Sequence, residues 1–302
     1  MTSPLNKKSL AFGTVCVPDM DAALALYAVL LEQGIVADSS VSVDEARAWQ
    51  APQIARARSV VLQPPSKASV YLRLIEQPDP PHYQPGTHFG WAALELTVKS
   101  ADDVYARLLK ANTPIIAAPK PLSFTDKLYP MQARGPGGEA LYLNEVRGNL
   151  PSSDLPIAEC WVDKLFIAVL GCRDMAASLH FYNDLLGTST GGQWEMPYSV
   201  INAAFQLPTT TAHKLATVAD HRTVLFEADH YPAAASPRPC DDGRLPQGVS
   251  MIGVRVQQPP GFAEWITPPT VRAHAPYFGA MVGVVRGLDD ELLEIIWSLF
   301  GN

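Results

Sequence analysis

Two carboxylates and three phenols mark where this chain could do chemistry. Glu227 lies in the strand-like run TVLFEA (223–228) and Glu294 in RGLDDELLEI (286–295). A carboxyl group held by a strand at the edge of a cavity can take or give a proton. Tyr198, Tyr231 and Tyr277 lie beside predicted strands or loops, where a phenol can bind or protonate an oxygen-bearing substrate. Each tyrosine is also an ordinary packing residue, but together they suggest a small apolar or aromatic ligand. The seven histidines fall mostly in loops or on a helix, and scattered polar or surface histidines are the simpler reading than a His-His-Glu site assembled from His213, His221 and His230. The four cysteines show no C-x-x-C spacing, so neither a disulfide framework nor a thiolate zinc site is indicated.

These residues must be positioned by a chain of 302 residues, enough for two domains of ~150 residues with real cores. A hydrophobic share of 47% with a net charge of −7 fits globular folding and speaks against a nucleic-acid backbone as partner. Apolar runs such as LFIAVL (165–170) fall far short of a membrane span, and the N-terminal MTSPLNKKSLAFG lacks the long apolar core of a signal peptide. No membrane association and a cytoplasmic location are therefore expected. The 27 prolines cluster at 78–85, 114–121, 232–246 and 259–269, where they read as connections between patterned segments.

The organising signal is a repeat. DMDAALALYAVLL (19–31) recurs about half a chain later as DMAASLHFYNDLL (174–186). In each copy an aspartate can cap the helix and apolar residues follow at helical spacing. A buried-strand run precedes each helix, LAFGTVCVP and LFIAVLGCR, and further strands close each unit, SVYLRLIE (69–76) and TVLFEA. The remaining quarters repeat the order. WAALELTV (91–98) leads into ADDVYARLLKA, VSMIGVRV (249–256) precedes a proline-interrupted FAEWI, and RGPGGEALYL (134–143) matches RGLDDELLEI. Four β-α-β-β-β units in two pairs account for the chain, because a curled half-sheet needs a partner to cover its concave face.

The segments VDKLFIAV (162–169), DMAASLHFYNDLLG (174–187) and GLDDELLEII (287–296) resemble the vicinal oxygen chelate superfamily. That group includes glyoxalase I, extradiol ring-cleavage dioxygenases, and fosfomycin- and bleomycin-resistance proteins. The resemblance implies an α+β fold of four βαβββ modules, paired into two glyoxalase-like domains whose curled mixed sheets surround a cavity. The domains are expected at 1–148 and 160–302, separated by RGNLPSSDLPIAECW (147–161). The resemblance also implies a divalent metal held by imidazoles on first strands and a glutamate on a closing strand. Lys164 stands at the first-strand histidine position of the third unit, Ser250 or Met251 at that of the fourth, and Glu294 and Glu227 at closing positions. In the first half Ser9, Tyr142 and Trp91 or Ala92 take the corresponding places. With the imidazoles replaced, no metal and no other cofactor is expected. Lys164 is expected to face Glu294 in one cavity as an acid/base pair or a structural ion pair, while the first half serves as scaffold with a filled cavity. Lys164, Glu294 and Glu227 are then the candidate catalytic groups, and Ser250, Tyr198, Tyr231 and Tyr277 the candidate substrate contacts. The activity implied is a metal-independent isomerase or lyase that moves a proton on a small aromatic or apolar oxygenated molecule. The alternatives are a binder that sequesters such a molecule and a divergent ring-cleavage dioxygenase; a homodimer is left open.

Overall fold

The repeated helix begins as its sequence dictates. Asp19 accepts from the Ala22 N–H at 3.0 Å and Asp174 from the Ala177 N–H at 3.1 Å, satisfying a donor that the first helical turn leaves free. The structure, a computed structural model, describes residues 8–261 and 263–298.

Each quarter is a strand–helix–strands unit. The first contains β1 (Ser9–Val17), α1 (Met20–Leu24) continuing as a wider π-helical turn (Ala25–Leu30), β2 (Gly34–Ser40), α2 (Val43–Ala48), β3 (Arg58–Gln63) and β4 (Tyr71–Glu76). The second contains β5 (Gly90–Val98), α3 (Ala101–Lys110), β6 (Ile115–Ala117), β7 (Leu128–Arg134) and β8 (Ala140–Val146). The third contains β9 (Val162–Cys172), α4 (Met175–Leu186), β10 (Ser189–Pro197), α5 (Ser199–Ala204), β11 (Ala212–Asp220) and β12 (Thr223–His230). The fourth contains β13 (Gly248–Arg255), β14 (Thr270–Arg272), β15 (Ala280–Arg286) and β16 (Leu292–Trp297), with no helix among its described residues. Prolines at 259, 260, 268 and 269 crowd the segment where FAEWI could have wound; Phe262 itself lies outside the described residues.

Two curled 8-stranded mixed sheets result, as the repeat predicts, but their composition does not follow the halves of the chain. One sheet runs β14-β15-β16-β13-β1-β4-β3-β2 and the other β10-β11-β12-β9-β5-β8-β7-β6. The first unit therefore pairs with the fourth, β1 antiparallel to β13, and the second with the third, β5 antiparallel to β9. Division at 148 and 160 gives two sequence repeats, yet each cavity draws on both. All four first strands are largely apolar and buried on both faces, so their sequences show what they are without showing which partner each takes.

The sheets meet along these central strands. Gly13 in β1 makes that approach feasible, since a Cβ there would lie 2.8 Å from Leu94 Cδ2 and 3.3 Å from Leu165 Cδ2. Two buried hydrogen bonds join the sheets on either side of this contact. Tyr27, on the turn after α1, donates to Glu139 Oε1 at 2.5 Å, and Tyr182 of α4 donates to Glu291 Oε1 at 2.6 Å. They are one motif used twice, the repeated helix tyrosine meeting the repeated R-G-x-x-x-E turn of the other sheet.

Candidate functional site

The concave face of the 1/4 sheet is filled by its own side chains. Glu294 on β16 is fully buried, and its Oε1 accepts from Trp49 Nε1 at 2.7 Å and Arg272 Nη1 at 2.5 Å. Its Oε2 accepts from Tyr277 Oη at 2.7 Å and Arg73 Nη2 at 3.2 Å. Arg73 also donates to Thr14 Oγ1 at 2.9 Å and packs its guanidinium over Phe12 and Trp49. Burial alone would raise the Glu294 pKa, but Arg272 and Arg73 hold the carboxyl below the ordinary glutamate value. Glu45 of α2, 3.9 Å from Arg73 Nη1, is the second carboxylate that balances the two guanidiniums, and aromatic rings close the cluster.

The expected Lys164–Glu294 pair does not form. Lys164 lies at the start of β9 in the other sheet, with Nζ 3.4 Å from Glu159 and 3.9 Å from Asp163. The positive charge that Glu294 requires is present, but Arg73 and Arg272 supply it. Tyr277, expected at a ligand, belongs to this network. Ser250 is buried on β13, with Oγ 3.4 Å from the Thr14 carbonyl, and borders a separate cleft of ≈ 300 Å³ beside Trp49 and Arg238. Arg73 and Arg272 escaped the sequence reading. A charged residue interrupting the apolar strand YLRLIE was the available signal for Arg73.

The 2/3 sheet is the opposite case. Its concave face holds a cavity of ≈ 70 Å³ whose polar lining includes Glu95, Gln132, Tyr142, Asn144, Tyr198, Thr217 and Glu227. Apolar walls come from residues such as Phe166, Ile167, Met196 and Leu215. Glu95 on β5 and Glu227 on β12 flank β9, where they lie opposite Ile167 and Val169, and Tyr142 on β8 lies beside Glu95. Tyr198, placed at the start of α5, donates to Glu227 Oε1 at 2.6 Å. Asn144 Nδ2 donates to Glu95 Oε1 at 2.5 Å. The expectation of a filled cavity in the first half and an open one in the second is thus replaced. The open cavity takes Glu95 and Tyr142 from one half and Glu227 and Tyr198 from the other.

Burial pushes the Glu95 carboxyl up to about 8, with Glu227 adding repulsion that the Asn144 hydrogen bond offsets only in part. Burial also raises Glu227 and its neighbour Asp229, and Asp229 is raised further by Glu227 itself. Like charges this close cannot all be ionised, so at neutral pH the group retains protons. Glu95 was missed in the sequence, although an acidic residue in the apolar run WAALELTV was visible there.

Tyr231, expected at the ligand, packs away from the cavity lining. Its ring lies against Gly171 of β9, where a Cβ would come within 2.7 Å of Tyr231 Cζ, and Phe205 meets it edge-on. Substituting Gly171→Ala should overpack this contact and lower stability by ~1–3 kcal/mol, read as a lower urea midpoint with an unchanged slope. An unshifted midpoint would show that the ring has room to move.

At the mouth, Phe124 and Trp194 stack with ring centres 5.2 Å apart. Both rings, with Leu150, are shared between the inner cavity and an outer groove of ≈ 720 Å³.

Among solved structures, the chain is similar to glyoxalase I from Zea mays at 11% identity and a TM-score of 0.64, covering 97% of this chain and 93% of that one. It is also similar to a candidate dioxygenase from Bacillus subtilis subsp. subtilis str. 168 at 12% identity and a TM-score of 0.59, covering 97% and 86%. No protein-family model and no curated protein matches the sequence. The chain therefore has the same two-domain, glyoxalase-like α+β fold as these structures. Within that fold the 2/3 cavity is lined by carboxyl and phenol groups among apolar walls.

The metal implied by that fold meets the wrong donors here. At the 1/4 sheet, guanidinium groups occupy the space around the closing-strand carboxylate Glu294. At the 2/3 sheet, Glu95 and Glu227 have no imidazole in the lining with them. Among the described residues no group of three or more His, Cys, Asp or Glu side chains is placed to hold a metal ion. Two carboxylates without imidazole form a weak site for first-row metals, so the residues do not fit a resident metal. No helix among the described residues is long and apolar enough to cross a membrane.

Proposed function

We propose that the protein takes a small, largely apolar molecule into the 2/3 cavity and moves a proton on it as an isomerase or lyase, with Glu227 as the proton-transfer group and Tyr198 holding it. The observation that carries this reading is the pair Glu95 and Glu227, two carboxyls on different strands in one apolar cavity, with burial favouring their protonated forms. A carboxyl whose pKa is raised toward neutrality can accept a proton in one step and return it in the next. Tyr198 fixes the direction of Glu227 through the 2.6 Å bond, and the apolar walls keep water from competing for the proton. Lys164 and Glu294 take no part in this reading.

The test is hydrogen exchange in deuterated water against a panel of small aromatic and aliphatic carbonyl compounds, with and without amino groups, followed by NMR. Catalysed exchange at a carbon of at least one compound is expected. Glu227→Gln should slow it ~10²–10⁴-fold with circular dichroism unchanged. Compounds that bind tightly without exchange would replace this reading by that of a sequestering protein.

A further inference from the structure

The two concave faces treat charge in opposite ways. In the 1/4 sheet two buried carboxylates, Glu294 and Glu45, are matched by two guanidiniums. In the 2/3 sheet Glu95 and Glu227 face a cavity with no lysine, arginine or histidine in its lining, and Asp229 lies on β12 close enough to Glu227 to share its titration. The neutral polar groups add to the imbalance. Asn144 is 1% exposed and Thr217 4% exposed; both line the cavity, and Asn144 Oδ1 and Thr217 Oγ1 are buried without a hydrogen-bond partner. Asn144 has already committed its amide to Glu95, so what it still offers is an acceptor. A buried acceptor without a donor is costly, and here such an acceptor is aimed into the same space as two carboxyls.

We propose that the cavity is built for the ammonium group of a primary amine, which donates to Glu95 and Asn144 while its apolar body extends outward beneath Phe124 and Trp194. An ammonium supplies donors for the acceptors left unpartnered and the positive charge that the lining lacks. Phenyl and indole faces at the mouth attract cations and cover the adjoining methylene or aryl groups. An inner cavity of ≈ 70 Å³ opening past shared rings to a groove of ≈ 720 Å³ gives a small head and a longer body their separate places. A carboxylate or phosphate ligand would instead meet the acidic floor. This assignment rests on the reading of the same cavity as the site of chemistry and adds the charge of the substrate: Glu95 anchors the nitrogen and Glu227 is left for the proton.

Binding must then release a proton. The protonated carboxyl of Glu95 becomes a carboxylate paired with the ammonium, and its proton passes to the buffer. Glu227 and Asp229 on β12, Tyr142 on β8 and Tyr198 at α5 are the titratable groups facing this event, none of them cationic.

The experiment compares phenethylamine, 2-phenylethanol and phenylacetate, similar in shape and differing in charge, by isothermal titration calorimetry on the full chain. In two buffers of different ionisation enthalpy at pH 7, phenethylamine is expected to bind at least tenfold more tightly than the alcohol, to release about one proton, and to gain affinity about tenfold from pH 6 to 7. Phenylacetate is expected not to bind. Glu95→Gln should remove both the amine preference and the proton release. Equal binding of alcohol and amine, binding without proton release, or displacement of the amine by one equivalent of Mn²⁺ or Zn²⁺ would overturn the assignment. The wild-type comparison decides even if the variant does not fold. Because these ligands need not turn over, their failure to bind is distinguishable from a failure of catalysed exchange.

Discussion

Glu294→Gln should destabilise the chain by ~3–5 kcal/mol, the cost of leaving buried charges without their counterion. Arg272 would lose its carboxylate and Arg73 would keep only Glu45 at 3.9 Å, both remaining walled in by Trp49, Phe12 and Tyr277. Urea unfolding at neutral pH reads the effect directly. The control is the matched variant Glu45→Gln, Arg73→Met, Arg272→Met, Glu294→Leu, expected to lie close to wild type because replacing a whole buried ionic cluster is often neutral. A mild loss in the single variant would mean that water reaches the cluster. Neither change is expected to alter chemistry in the 2/3 cavity.

The second large effect is in pH. Burial raises Glu139 and Glu291, the acceptors of the Tyr27 and Tyr182 bonds, to about 7 against an ordinary 4.5. Between these values the folded chain holds a proton at each of these two sites that the unfolded chain releases, and the raised Glu95, Glu227 and Asp229 act in the same direction. Stability therefore falls as pH rises from 4.5 through 7, by about 3 kcal/mol per glutamate. On the acid side Glu45, lowered to about 2 chiefly by its His274 and Arg73 contacts against burial, and Glu294, also lowered, act with the opposite sign. Their contribution is present above 4.5 and lost as pH falls toward 2. Denaturant midpoints should accordingly peak near pH 5. The double variant Glu139→Gln, Glu291→Gln should make the alkaline limb shallower, leaving the slope due to the 2/3 cavity carboxyls, and exceed wild type at pH 8. A wild-type profile that stays level from pH 5 to 8 would show that these carboxyls are hydrated.

Much of this molecule could be read from its residues, and the limits have physical causes. The duplicated helix motif placed α1 and α4 correctly because a capping aspartate and a 3.6-residue apolar rhythm are local signals, satisfied within one turn. Strand partnership is not local. β1 meets β13 across most of the chain, and a strand that is apolar on both faces carries no mark of its neighbour. The same limit separated Lys164 from Glu294, since sharing a cavity required their units to share a sheet. Glu227 and Tyr198 were nameable from strand position and residue type, and they do meet. Their companions Glu95 and Asn144 come from the second unit, which the expected division of the chain had set apart from the third.

The pairing order also bears on how the chain is made. Residues 90–230 hold every strand of the 2/3 sheet, so that body can close as soon as it leaves the ribosome. The first unit emerges earlier yet must wait until residues 248–297 arrive, with one edge of β1 unpaired for the whole interval. Such a long-range closure is slow and leaves a strand edge open to other chains. During synthesis the hazard of misassembly therefore falls on the sheet that carries the ion cluster. The sheet that carries the cavity is already complete.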